Sequence, residues 1–136
     1  MRTAILAALV TGLCATAGEP AQSEPPKGAE GGKNIFRTIC ASCHGTDARG
    51  GGPVANSLKT KPPDLRRIAQ RRGASFPKVD VARYIDGRER TPAHGTREMP
   101  VWGDGLASAV PEKEERERRI GRAIEMLVAY LETIRE

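Results

Sequence analysis

Cys40-Ala41-Ser42-Cys43-His44 is the stretch on which the reading of this chain turns. Two cysteines separated by two residues and followed directly by a histidine are the attachment sequence of a c-type haem. The spacing has a chemical reason: two thiols one helical turn apart can form thioethers with the two vinyl groups of a single porphyrin. His44 then stands beneath the iron as its proximal axial ligand. Other uses of a CxxC fit the sequence poorly. A thioredoxin-type pair would follow a strand within a βαβ alternation, and none is visible. A zinc site wants four ligands, and His44 and His94 are the only histidines, at no finger spacing. A Cys40–Cys43 disulfide would leave His44 without a role. One CxxCH means one haem.

Upstream, the first residues have the build of a secretory signal. Arg2 is a short positive region, Ala4 to Val10 an apolar one, and Ala15-Thr16-Ala17 a small-residue cleavage site. The apolar run ends at Thr11 and Gly12, too short to span a bilayer comfortably. The expected organisation is therefore residues 1–17 as a cleaved signal peptide, 18–30 as a flexible linker rich in Pro, Glu, Ser and Gly, and 31–136 as the haem domain. An uncleaved anchor and a lipid-bearing Cys14 are the alternatives; Leu13 is larger than a lipoprotein site normally places before its cysteine. Export agrees with haem attachment, because c-type haem is joined on the outer side of the bacterial inner membrane. The localisation expected is periplasmic.

The formal charge is +5. A mild positive balance interspersed with acid suits an acidic protein partner and does not suggest nucleic acid. Aromatic residues are few, so the protein alone would build a thin core, which a haem would complete.

From about Gly31, helical spacing places Ile35, Phe36 and Ile39 on one face leading into Cys40 and Cys43. Near the C-terminus Ile120, Ile124, Leu127, Val128, Leu131 and Ile134 recur at the same spacing. Gly32, Phe36, Cys40, Cys43, His44 and Tyr130 together resemble the helices of class I cytochromes c. The fold this implies is all-α, with N- and C-terminal helices crossing around one covalently bound haem. Gly32 would allow close backbone approach, and Phe36 and Tyr130 would meet edge to face. The resemblance also implies that a proline after the haem motif, Pro53, offers its carbonyl to the second nitrogen of His44.

Between these helices, Pro62-Pro63-Asp64 opens a short helix to Arg72, stopped by Gly73. Its Arg66, Arg67, Arg71 and Arg72 read as a solvated face. A further short helix is expected over Asp80 to Ile85, capped by Asp80 and ended by Gly87, with Val81, Tyr84 and Ile85 towards the haem.

The second chemical stretch is Met99-Pro100-Val101-Trp102-Gly103. A thioether ligand needs a rigid loop far enough beyond the CxxCH to pass over the opposite haem face, and Pro100 would stiffen it. Met126 sits in the C-terminal helical pattern, where filling the core is the better reading. From the residues alone His94 competes with Met99 for the sixth position; the resemblance implies Met99. Trp102 and Arg97 are candidates for bonding the haem propionates. Pro111 is expected at the first position of the last helix, whose Glu112/Arg116, Glu114/Arg118 and Glu115/Arg119 are spaced as ion pairs and would project from the globule.

With His44 and Met99 filling both axial positions, the iron would have no open site. The expectation is a single-electron carrier and not an enzyme, with haem c and its iron as cofactor, redox proteins as partners, and no membrane span once the signal is removed. A cytochrome subunit of a dehydrogenase or oxidase complex is one alternative. A five-coordinate peroxidase or gas sensor using His94 with Arg97 is the other.

Overall fold

Ala29–Ile35 forms α1, the first helix of a computed structural model that describes residues 27–73, 75–89 and 99–136. The leader, Cys14, most of the linker, His94 and Arg97 lie outside the described residues. No strand occurs among the described residues, so the all-α architecture expected from sequence is the one observed. The helix starts two residues earlier than the apolar spacing suggests, behind Gly28 at φ 90°.

α1 does not run uniformly to the haem motif. Phe36–Cys40 is a π-helical turn, with the Ala41 amide donating to the Phe36 carbonyl, and Ala41–His44 resumes as α2. One extra residue in a turn rotates the next helical segment by about 100° relative to a continuous α-helix. Gly32 and Phe36 can then address one neighbour while Cys40, Cys43 and His44 address another.

The first neighbour is α6, Lys113–Thr133, which buries Ile120, Ile124, Leu127, Val128 and Leu131 on one stripe. Phe36, Ile120 and Leu127 are the largest side chains fully enclosed. The Phe36 and Tyr130 ring centroids lie 5.3 Å apart with planes tilted by 52°, the aromatic pairing expected at the crossing. Gly32 is why the backbones meet: a Cβ there would fall 2.9 Å from Tyr130 Cβ and collide with the Met126 carbonyl. Met126 spends its side chain on the same face, since a Cβ at Gly31 would stand 2.7 Å from its sulfur.

After His44 the chain folds back to cap α2. Gly50, Gly52 and Val54 donate their amides to the carbonyls of His44, Cys43 and Ser42 at 2.7, 3.1 and 3.1 Å, satisfying acceptors that a helix end leaves open. Gly50, at φ 85°, also admits the Pro62 carbonyl, where a side chain would not fit. The Pro62-Pro63 segment is thereby laid alongside the haem motif.

Asp64 opens the next turn as expected. Leu65–Arg67 is a 3-10 turn running into α3, Ile68–Arg71. Asp64 Oδ1 accepts from the Arg66 amide at 3.0 Å, and its carboxylate takes the Arg66 guanidinium at 3.1 and 2.7 Å. Arg66 also pairs with Glu136, whose amide donates to the Arg66 carbonyl at 2.9 Å, so the C-terminus docks on this turn. Arg66 is thus a structural bridge and not part of a solvated face. The Arg66 guanidinium holds the Asp64 carboxyl below the usual carboxylate range. Asp64→Ala is expected to lower the unfolding free energy at neutral pH by about 1 kcal/mol, the usual size of a lost N-cap. The folded carboxyl titrates below its unfolded value of about 3.9, so its ionic contribution is complete above that pH and is lost as pH falls through the depressed folded value. Denaturant unfolding at neutral pH and in strong acid checks this: the gap between wild type and variant shrinks on acidification.

α4, Lys78–Asp86, is longer than expected and is preceded by Pro77, so Asp80 lies within the first turn and is not the cap. Its carboxylate suits the positive end of the helix dipole. Gly87 ends the helix in the left-handed conformation at φ 71°, as predicted. A short α5, Trp102–Gly105, was not anticipated. α6 begins at Lys113 with Glu112 as N-cap, which puts Pro111 outside the helix. Only Glu115/Arg119 of the expected i,i+4 pairs forms, at 2.7 Å; Arg118 also turns to Glu115, and Arg116 donates to the Val110 and Pro111 carbonyls. Nor does this end simply project: Arg88 reaches Glu117 at 2.9 Å and ties it to the end of α4.

Candidate haem site

Cys40, Cys43 and His44 line one cavity of about 510 Å³, within the roughly 300–1,000 Å³ typical of small-molecule and cofactor sites. Most of the remaining wall is apolar: Phe36, Leu65, Ile68, Ile85, Leu127 and Leu131 contribute from five parts of the chain. Met99 and Pro100 line the same cavity, and Met99 packs against the hydrophobic core. The fold therefore brings together, from opposite halves of the sequence, the CxxCH and the methionine singled out with it. Val81, Tyr84 and Ile85 all reach this cavity, as the helical spacing of α4 suggested, although Tyr84 remains 60% exposed. Lys61, Arg71 and Arg72 supply cationic groups to its lining.

The two cysteines are not bonded to each other. Burial, followed by the neighbouring Cys43, pushes the Cys40 thiol up to about 11. A redox-active CxxC works through a thiolate at lowered pKa. Cys40 moves in the opposite direction, which argues against disulfide exchange.

Burial lowers the His44 pKa below the usual imidazole value, and the Pro63 backbone acts in the opposite sense. Nδ1 is enclosed without a hydrogen bond of full geometry, so the other ring nitrogen is the one left for a metal. An imidazole with one nitrogen walled in beside a backbone carbonyl is the usual support of a histidine ligand. That neighbour is Pro63, which lines the cavity; Pro53 lies in the turn that caps α2 and is not part of the lining. The expectation for Pro53 is corrected accordingly. Both prolines lie beyond the motif in sequence, and only the fold-back at Gly50 decides which one returns to the histidine.

Trp102 lines a second cleft with Ile35, Thr38, Ile39 and Leu106, on the α1–α5 side of the molecule, and Ile39 lines both this cleft and the cavity that holds His44. Among the described residues no group of three or more His, Cys, Asp or Glu side chains is arranged to hold a metal by protein ligands alone. The donor set of the large cavity, two thiols, one imidazole and one thioether in an apolar enclosure, instead fits an iron porphyrin.

The family model of cytochrome c matches residues 29–134, the span from the start of α1 to the end of α6. The chain belongs to the cytochrome c family. Searches among curated proteins and among solved structures found no match. As a cytochrome c the protein binds haem c, attached covalently, with its iron, and its activity is haem-based electron transfer. The residues of the cavity fit that group: an apolar enclosure, two unbonded thiols, and an imidazole whose Nδ1 is buried. No described helix is long and apolar enough to cross a membrane.

Proposed function

We propose that this cytochrome c is a periplasmic single-electron carrier in which Cys40 and Cys43 carry the haem by thioethers and His44 and Met99 are the axial ligands. The observation that carries the reading is Met99 in the wall of the cavity that CxxCH opens. Haem c supplies one-electron chemistry at its iron. The chain supplies the rest. His44 is fixed in orientation by burial of Nδ1 beside Pro63, and the apolar walls exclude water. Met99 brings a soft thioether, which favours reduced iron and raises the potential. With both positions filled by side chains there is no place for a substrate, so the protein carries electrons without enzyme activity of its own. Residues 1–17 direct export in this reading, and redox proteins with acidic surfaces are the partners suited to the cationic residues near the cavity.

Absorption spectra of haem-loaded protein test it. The oxidised form is expected to show the weak long-wavelength band of sulfur on ferric haem. Met99→Ala abolishes that band and lowers the reduction potential by on the order of 0.1 V, within the roughly 0.8 V that axial ligation commands. Met126→Ala keeps the band, because Met126 packs on the glycine face of α1. A high-spin spectrum in the wild type, shifting on addition of carbon monoxide or peroxide, would instead indicate an open iron and the peroxidase or sensor reading.

A further inference from the structure

Arg88 has surroundings that neither the haem cavity nor the α1–α6 crossing explains. Its guanidinium forks onto Asp86, with Nε to Oδ1 at 2.6 Å and Nη2 to Oδ2 at 2.9 Å. Its Nη1 donates to both carboxylate oxygens of Glu117 on α6 at 2.9 Å. The end of α4 is thus tied to α6 by one arginine between two carboxylates. Gly103 of α5 is buried against the same group: a Cβ there would collide with Asp86 Oδ1 and Arg88 Nε and stand 2.7 Å from Arg88 Cδ.

In sequence, Met99 lies between Arg88 and Gly103. Gly103 stands four residues after Met99, so its contact with Arg88 and Asp86 fixes the chain just beyond Met99, and Glu117 ties that contact to the longest helix. Fixing the chain four residues from Met99 limits the placements open to its side chain. Forked arginine–carboxylate bonds are the strong, directional kind; Arg88 and Asp86 are 32% and 28% exposed, and Glu117, at 45%, is the more solvent-screened arm.

We propose that the Asp86–Arg88–Glu117 fork, seated against Gly103, is the positioning device for Met99, keeping its thioether in the haem cavity against displacement by other ligands. The inference rests on the reading of Met99 as axial ligand. It assigns Arg88 a positioning role, exercised through the chain that carries Met99.

The test titrates oxidised, haem-loaded protein with imidazole, which competes for the iron position, and follows loss of the sulfur band. Arg88→Ala and Gly103→Ala are expected to lower the imidazole concentration at half-displacement by roughly tenfold, since a weaker hold raises the fraction of protein competent to bind it. Arg88→Lys keeps the charge without the fork and falls between. Arg119→Ala, which removes an exposed partner of Glu115, leaves the titration unchanged, and so does Ile124→Val, which lowers the unfolding midpoint from within the α1–α6 core. Arg88→Ala and Gly103→Ala proteins that titrate as wild type overturn the positioning role. If Arg88→Ala does not fold, Glu117→Gln opens the same bridge from α6 and is judged by the same titration. Met99→Ala separates the two readings: a band that survives it removes Met99 as ligand and the proposal with it, whereas a band lost there and unmoved by the Arg88 and Gly103 variants removes the positioning role alone.

Discussion

Gly32→Ala is expected to cost at least about 3 kcal/mol of stability, near the top of the range for a forced overpacking. The added methyl would meet backbone: it collides with the Met126 carbonyl and comes within 2.9 Å of Tyr130 Cβ. A flexible side chain could turn aside, but a carbonyl inside a 21-residue helix cannot move without breaking its own hydrogen bond. α1 must therefore lift from α6. That movement would also part Phe36 from Tyr130 and open the enclosure around Ile120 and Leu127. Denaturant unfolding of haem-loaded protein reads the loss directly. Gly121→Ala is the matched control, since a Cβ there meets nothing within 4 Å and replaces glycine in an exposed helix. It should be neutral or stabilising, by up to about 1 kcal/mol.

Replacing Cys40 and Cys43 together by alanine is expected to abolish covalent haem altogether. Mass spectrometry of the denatured variant should find only the bare chain, where the wild type carries the mass of the haem. The single variants, each keeping one thiol in the cavity wall, should retain haem on part of the protein. The consequence for folding is as large. Leu65, Ile68, Val81 and Met99 are only partly buried on the wall of a cavity of about 510 Å³, where the haem would cover them. A group held without covalent bonds stabilises the fold in proportion to the logarithm of its free concentration, about 4 kcal/mol at a thousandfold excess over its dissociation constant and nothing when diluted away. The double variant should therefore melt at a temperature that depends on added haem, and the wild type at one that does not.

The motif, the two principal helices and the Gly32, Phe36 and Tyr130 contacts were legible because each rests on short-range rules: fixed thiol spacing, helical period, and the absence of a side chain where two helices touch. Met99 was legible as a residue type on a proline-stiffened stretch. Its presence in the same cavity as His44 was not, since that depends on how the intervening chain is folded. Pro53 is the nearer proline to the motif in sequence, which favours it over Pro63 when spacing is the only guide. The structure uses the Pro53 turn to cap the carbonyls of α2 instead, and it is Gly50, at φ 85°, that lets the Pro62-Pro63 segment return to the histidine. The π-turn at Phe36–Cys40 leaves no trace in residue spacing, as it arises where one helix must serve two neighbours on different faces. Arg88 carries no motif at all. Its role depends on Asp86, Gly103 and Glu117 meeting in space, and only Asp86 is near it in the chain.

By itself, the sequence determined that this chain is a helical protein built to hold one covalent haem, because CxxCH chemistry and amphipathic helices depend on residues a few positions apart. The tertiary structure alone decided which proline stands by His44, that Met99 shares its cavity, and that Gly103, four residues beyond that methionine, packs against Asp86 and Arg88. Those are contacts between residues far apart in sequence, set by the fold-back at Gly50 and by the packing of α4, α5 and α6.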